Sequence, residues 1–356
     1  MKNDPAPATA ASDPEADCLV AKLIVQIDKG DTKSINALLD EGASVDGCFE
    51  ADHAELDHAA NPPLVGAALD GNINVVDLLI RRGADLDARG RVYRVAADDD
   101  SDFKILTIKG TRPLHAAVVA GDSLHVVRSL LRNGADPNAP DDNGDTPLLR
   151  AASSAEETKC TLEIAKELIN GGADVGLVNK DGNCPLLLAA FEENVPMVEE
   201  LLKAGGDCSV ANKCGYTALV AAADLGNTEL VRLLLSAAPT TLNRTYPMKP
   251  NSKEYGTVLY ATAGYGHEGT VEFLLGAGAK QPTFSDKNKK ALCPLGAAVY
   301  FDHPGVVAML LRKKGLESIG GVSWIPEAME TAVRCRRTTI LQMLVNVGGE
   351  DRARQY

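Results

Sequence analysis

The chain has 356 residues, 45% hydrophobic and 24% charged, a balance that excludes wholesale disorder and, at this length, calls for several domains or one elongated array. Its net charge of -13 is unevenly spread: residues 1–230 carry 39 acidic and 20 basic side chains, residues 231–356 carry 10 and 16. The acidic two-thirds repels phosphate backbones, so no nucleic-acid partner is expected, while the basic third leaves room for an acidic partner or anionic ligand.

Residues 1–16, rich in Pro, Ala, Asp and Glu, read as a disordered tail, and no apolar leader or membrane span follows them. A soluble protein of the cytoplasm, with the nucleus compatible, is expected. Asp17 to Asp46 reads as a capping unit. From there an apolar quartet followed by Gly recurs: Val75-Val76 with Leu78-Leu79 before Gly83-Ala84-Asp85, Val126-Val127 with Leu130-Leu131 before Gly134-Ala135-Asp136, and Ile164-Ala165 with Leu168-Ile169 before Gly172-Ala173-Asp174. Worn copies at Gly42, Gly205, Ala238, Gly278, Gly315 and Gly348 give spacings of 41, 51, 38, 33, 33, 40, 37 and 33, a 33-residue unit with insertions. Each quartet makes one helical stripe, and the Gly after it supplies a left-handed C-cap. Ahead of each stripe, Pro113, Pro147, Pro185 and Pro294 suit the first turn of an inner helix, and the Ala pairs behind them allow close helix approach.

Three insertions interrupt the beat. The segment 88–109 alternates as strand, polar tip (Asp98-Asp99-Asp100-Ser101-Asp102) and strand, an elongated hairpin whose Asp cluster lacks the spacing of a calcium loop. Segments 240–253 and 281–290 combine Lys and Arg with Tyr246 and Phe284. Near Glu327 to Gly348 the unit carries Arg334, Arg336 and Arg337 and reads as a second cap, with 350–356 a C-terminal tail.

With Arg112-Pro113-Leu114-His115-Ala116-Ala117 and Thr146-Pro147-Leu148-Leu149-Arg150-Ala151-Ala152 as its nearest motif matches, the chain resembles the ankyrin-repeat family over residues 17–349. The resemblance implies an all-α solenoid of about nine helical pairs with β-turn fingers, in which each unit buries its apolar face only against its neighbours. It implies little about the partner, because sites are grafted onto folds. His115 keeps the motif's His, and a structural bond to a neighbouring turn is expected of it.

Alignment on the inner-helix ends puts Phe191, Glu192, Asp224, Tyr265, Tyr300, Phe301 and Arg334 on one line, with Tyr216 on an adjacent finger and Trp324 ahead of the last unit. Aromatic surface flanked by a few charges is what interface hot spots require, and a protein partner held in the groove and by the fingers of the C-terminal half is the expectation. Partly buried packing residues are the plain alternative. The other functional reading is a small-molecule-binding protein or an acid-base or cyclisation enzyme at the same end, with Asp224 or Glu192 as base and Tyr265, His267 or Tyr300 as donors. No catalytic motif supports it, and no cofactor is expected. Eight scattered cysteines without a C-x-x-C pair point to a reducing compartment and to no metal site.

Overall fold

The computed structural model describes residues 14–47, 61–97, 103–154, 159–247, 254–280, 290–291, 293–312, 318–319, 322–323 and 325–354. The chain divides into two compact units, residues 1–151 with 156–174, and residues 152–155 with 175–356.

The first unit is built from helical pairs: α1 (Pro14–Asp28) with α2 (Thr32–Asp40), α3 (Pro63–Leu69) with α4 (Ile73–Arg81), α5 (Pro113–Val119) with α6 (Leu124–Arg132), and α7 (Pro147–Ala152) with α8 (Lys159–Asn170). Between α4 and α5, β1 (Gly90–Ala97) and β2 (Phe103–Thr111) pair antiparallel as a hairpin, with Val92 opposite Ile108 and Ala97 opposite Phe103. The Asp cluster expected at its tip, residues 98–102, lies outside the described residues. Pro63 and Pro113 open their helices at the position where a missing amide proton costs nothing, and Asn72 accepts from Val75 N to cap α4. Val75, Val76 and Leu79 of α4 and Val126, Val127 and Leu130 of α6 are fully buried, and each contributes about 1.5 to 3 kcal/mol of burial. His115 is buried and its Nε2 donates to the Asp145 carbonyl at 2.9 Å, thirty residues on in the next finger. Burial lowers its pKa to about 4.

The second unit continues with α9 (Pro185–Phe191) and α10 (Val195–Lys203), α11 (Ala218–Asp224) and α12 (Thr228–Ala237), α13 (Val258–Tyr265) and α14 (Glu268–Gly276), α15 (Pro294–Tyr300) and α16 (Pro304–Arg312), and α17 (Ile325–Arg334) and α18 (Thr338–Arg354). The first members pack in series, α9 on α11, α11 on α13, α13 on α15 and α15 on α17, and the second members form a parallel series from α10 to α18. Ala221, Ala222 and Ala223 have no exposure at all, the close approach that small side chains permit. Thr217 and Thr257 cap α11 and α13 by accepting from Val220 N and Tyr260 N.

Two of the insertions meet in this unit. β3 (Tyr246–Pro247) pairs antiparallel with β4 (Glu254–Gly256), which pairs parallel with β5 (Lys290–Ala291). A short hairpin, β6 (Ser318–Ile319) and β7 (Val322–Ser323), precedes α17.

Two expected boundaries shift. Helix α1 begins at Pro14, inside the stretch assigned to the N-terminal tail, and α18 runs through 350–354, where a tail was expected. No helix among the described residues is long and apolar enough to cross a membrane.

Candidate functional site

In the second unit the turns after α11, α13, α15 and α17 each reach back to the pair before. His267 Nε2 donates to the Asp224 carbonyl at 2.7 Å, His303 Nε2 donates to the Gly264 carbonyl at 2.9 Å, and Arg337 Nη2 donates to the Tyr300 carbonyl at 3.3 Å. Asn227 Nδ2 donates to the Glu193 carboxylate at 3.0 Å in the same manner. These links hold the C-terminal ends of α9, α11, α13, α15 and α17 in one row. The imidazoles need glycine beside them: a Cβ on Gly226 would lie 2.4 Å from His267 Nδ1, and both Gly226 and Gly266 have positive φ.

The side chains at the row's helix ends are turned to solvent. Phe191 is 38% exposed, Tyr265 59%, Tyr300 51% and Phe301 54%, large values for aromatic rings in a folded domain. Phe191 lies against Tyr216, ring centroids 5.7 Å apart. Tyr265 stacks over His267 at 6.1 Å, and Tyr300 meets Phe301 edge to face at 4.9 Å. Glu192 is half-buried and Arg334 exposed. Trp324 lies outside the described residues.

Asp224 is the half-buried, desolvated acid of this row. Desolvation raises its pKa to about 6, opposed by a hydrogen bond from the Tyr216 hydroxyl and by the nearby His267. Its Oδ1 is inaccessible and has no hydrogen-bond partner among the described residues. Burial and the charge of Asp224 push the Tyr216 phenol up in turn. Tyr246 of β3 is buried, donates to the Thr257 carbonyl at 3.1 Å, and lies within electrostatic reach of Asp224, Tyr216, Tyr260 and Tyr265. Beside Tyr246, Cys208, Thr217, Thr241 and Arg244 line a cavity of about 90 Å³, room for a few waters.

Of the residues singled out from sequence, the fold therefore gathers Phe191, Tyr216, Asp224, Tyr265 and His267, and keeps Tyr300 with Phe301 as a separate aromatic pair. Sequence reading named Tyr246 only as part of an insertion and did not single out Tyr260, and the insertion and α13 bring both to the surroundings of Asp224. It assigned Arg337 to a cap, although that residue shares the register of His267 and His303 and its link to the preceding turn was legible from it.

The positive-φ residues of these turns form one further set. Gly30, Gly71, Gly121, Gly226 and Gly266 occupy the left-handed position in five pairs, whereas Glu193 (φ 54°), Asp302 (φ 69°) and Arg336 (φ 57°) occupy it in three others. A side chain there costs about 1 kcal/mol relative to glycine.

Family models agree with this architecture. Those described as ankyrin repeat, ankyrin repeats (many copies) and ankyrin repeats (3 copies) match residues 61–91, 114–157 and 155–246. This is an ankyrin-repeat protein. Ankyrin repeats mark a protein–protein interaction module in general, which is the class of function the chain carries. No curated protein matches the chain. Among the described residues of the ankyrin-repeat protein, no group of three or more His, Cys, Asp or Glu side chains is placed to hold a metal ion.

Proposed function

We propose that the second unit binds a partner protein through the row of inner-helix ends, with Phe191, Tyr265, Tyr300 and Phe301 as anchors and Tyr216, Glu192, Asp224 and Arg334 setting orientation. The reading is carried by the run of exposed aromatic rings on helix ends that the turn-to-turn bonds hold in line. Rings held this way lose little conformational entropy on binding, and truncating a central one typically weakens an interface about thirtyfold or more, about 2 kcal/mol upward. Neither a nucleic acid nor a membrane is part of this reading, and it needs no cofactor.

Native mass spectrometry of the protein isolated from its own cells tests it. A stoichiometric partner protein held by the wild type and lost from a Tyr300→Ala, Phe301→Ala double variant is the expected result. A partner held equally by both forms would refute the row.

A second reading rests on the unpartnered Oδ1 of Asp224 among Tyr216, Tyr246 and Tyr265. A half-buried carboxyl with a pKa near 6 is matched to acid-base work close to neutrality, and here the group belongs to a small-molecule site. The same spectra decide it: a bound metabolite released by Asp224→Asn and absent from the denatured chain would move this reading to first place.

A further inference from the structure

We propose that Tyr300, Phe301, Arg334 and Arg336 form the seat of an acidic segment of the partner protein, one large apolar side chain resting on the two rings and carboxylates meeting the two guanidinium groups. The inference rests on the row assigned above and adds the chemistry of what binds it.

Arg336 is the reason to look outward. It stands in left-handed backbone where five other pairs carry glycine, and so do Glu193 and Asp302. Those two are compensated inside the chain, because Glu193 accepts from Asn227 at 3.0 Å and Asp302 from Arg337 at 3.1 Å. The Arg336 side chain is exposed and has no hydrogen-bond or ion-pair partner among the described residues. Nothing within the described chain offsets its backbone cost, and a residue held in an unfavourable conformation without internal return is a mark of function.

The neighbourhood is complete for that purpose. Arg337 joins its own turn to the preceding one, donating through Nη1 to Asp302 and through Nη2 to the Tyr300 carbonyl. This fixes the turn carrying Arg336 beside the Tyr300–Phe301 pair, and neutralises Arg337 itself with Asp302. Val333, 61% exposed, extends the apolar surface on α17, and the exposed Arg334 follows it. Two exposed guanidinium groups without a partner among the described residues, next to an apolar platform, match carboxylates flanking a large side chain, since arginine binds carboxylate through paired donors. The excess of basic residues from 231 onward points to the same sign of partner.

Selection of a random linear peptide display library on the immobilised full chain tests the assignment. Enriched peptides are expected to carry Asp or Glu beside a large apolar residue. Arg334→Gln and Arg336→Gly are each expected to weaken the best peptide about tenfold, with the difference shrinking as salt is added. Arg336→Gly also relieves the turn, so its urea midpoint should not fall, and lost binding with undiminished stability excludes misfolding as the cause. Enriched peptides without acidic residues, or an Arg336→Gly variant that binds unchanged, would overturn the inference. If the Tyr300→Ala, Phe301→Ala double variant alone loses the peptide, the row stands and the acidic assignment falls. If no peptide is enriched, or neither set of substitutions matters, both fall. A single-stranded oligonucleotide that binds through Arg336 where no peptide does would replace the partner class altogether.

Discussion

Asp141 in the first unit is buried and Asp224 in the second half-buried, both acids stand at repeat turns, and the chain treats them in opposite ways. Asp141 has every lone pair directed at a donor: Oδ1 accepts from Asn143 N at 2.7 Å and Asp145 N at 3.0 Å, and Oδ2 accepts from Nε and Nη2 of Arg150. Asp224 has the Tyr216 hydroxyl and His267 nearby, and one oxygen with no partner among the described residues. The first arrangement is a closed structural network that fixes a finger on the helix behind it. The second leaves electrostatic free energy unspent in a place surrounded by phenols, which is how sites differ from scaffolding.

Removing Asp141 breaks that contrast most sharply. Asp141→Ala removes the carboxylate that accepts from Nε and Nη2 of Arg150 and should destabilise the first unit by about 3 to 5 kcal/mol, read as an earlier urea transition. Core truncation serves as the control, since Leu148→Ala in one unit and Leu219→Ala in the other, both essentially unexposed, should each cost about 2 to 5 kcal/mol.

The acid in the second unit should behave with the reverse sign. Its folded pKa is raised from 3.8 to about 6, so the stability linked to it is present below 3.8 and lost as pH rises through 6. Asp224→Asn should therefore stabilise the second unit by about 1 to 3 kcal/mol near neutral pH, a gain nearly gone at pH 4. His115 makes the opposite contribution to the first unit. Its folded pKa is lowered from 6.5 to about 4, so stability is present above 6.5 and lost as pH falls toward 4. Denaturant titrations of wild type and His115→Gln between these limits should show the acid-side loss only where His115 is present. Smallest of all is the expected effect of Tyr300→Ala on stability, within about 0.5 kcal/mol, because the ring is half exposed. A loss several times larger would mean that the ring is packing and not an anchor.

The fold was legible because its signals are local and repeated. Gly83, Gly134 and Gly172 follow their apolar quartets at a near-constant beat, and Pro113, Pro147 and Pro185 mark helix starts, so element order followed from spacing alone. The line of helix-end residues was equally readable, since register within a repeat fixes position along the pair. What surrounds Asp224 was not. Tyr246 arrives from an insertion whose length and pairing obey no repeat, and its contacts depend on a strand register between segments distant in sequence. Left-handed backbone at Glu193 and Arg336 was hidden for a different reason: sequence signals that conformation through glycine, and here the stack imposes it on residues that would not choose it.

The parallel pairing of β4 with β5 ties the insertion before α13 to the one before α15. Shortening either alone would leave its ladder partner with bare amides and carbonyls at an open edge. The two loops thus form a single graft of two pieces, and variants that exchange or trim them should be made in pairs.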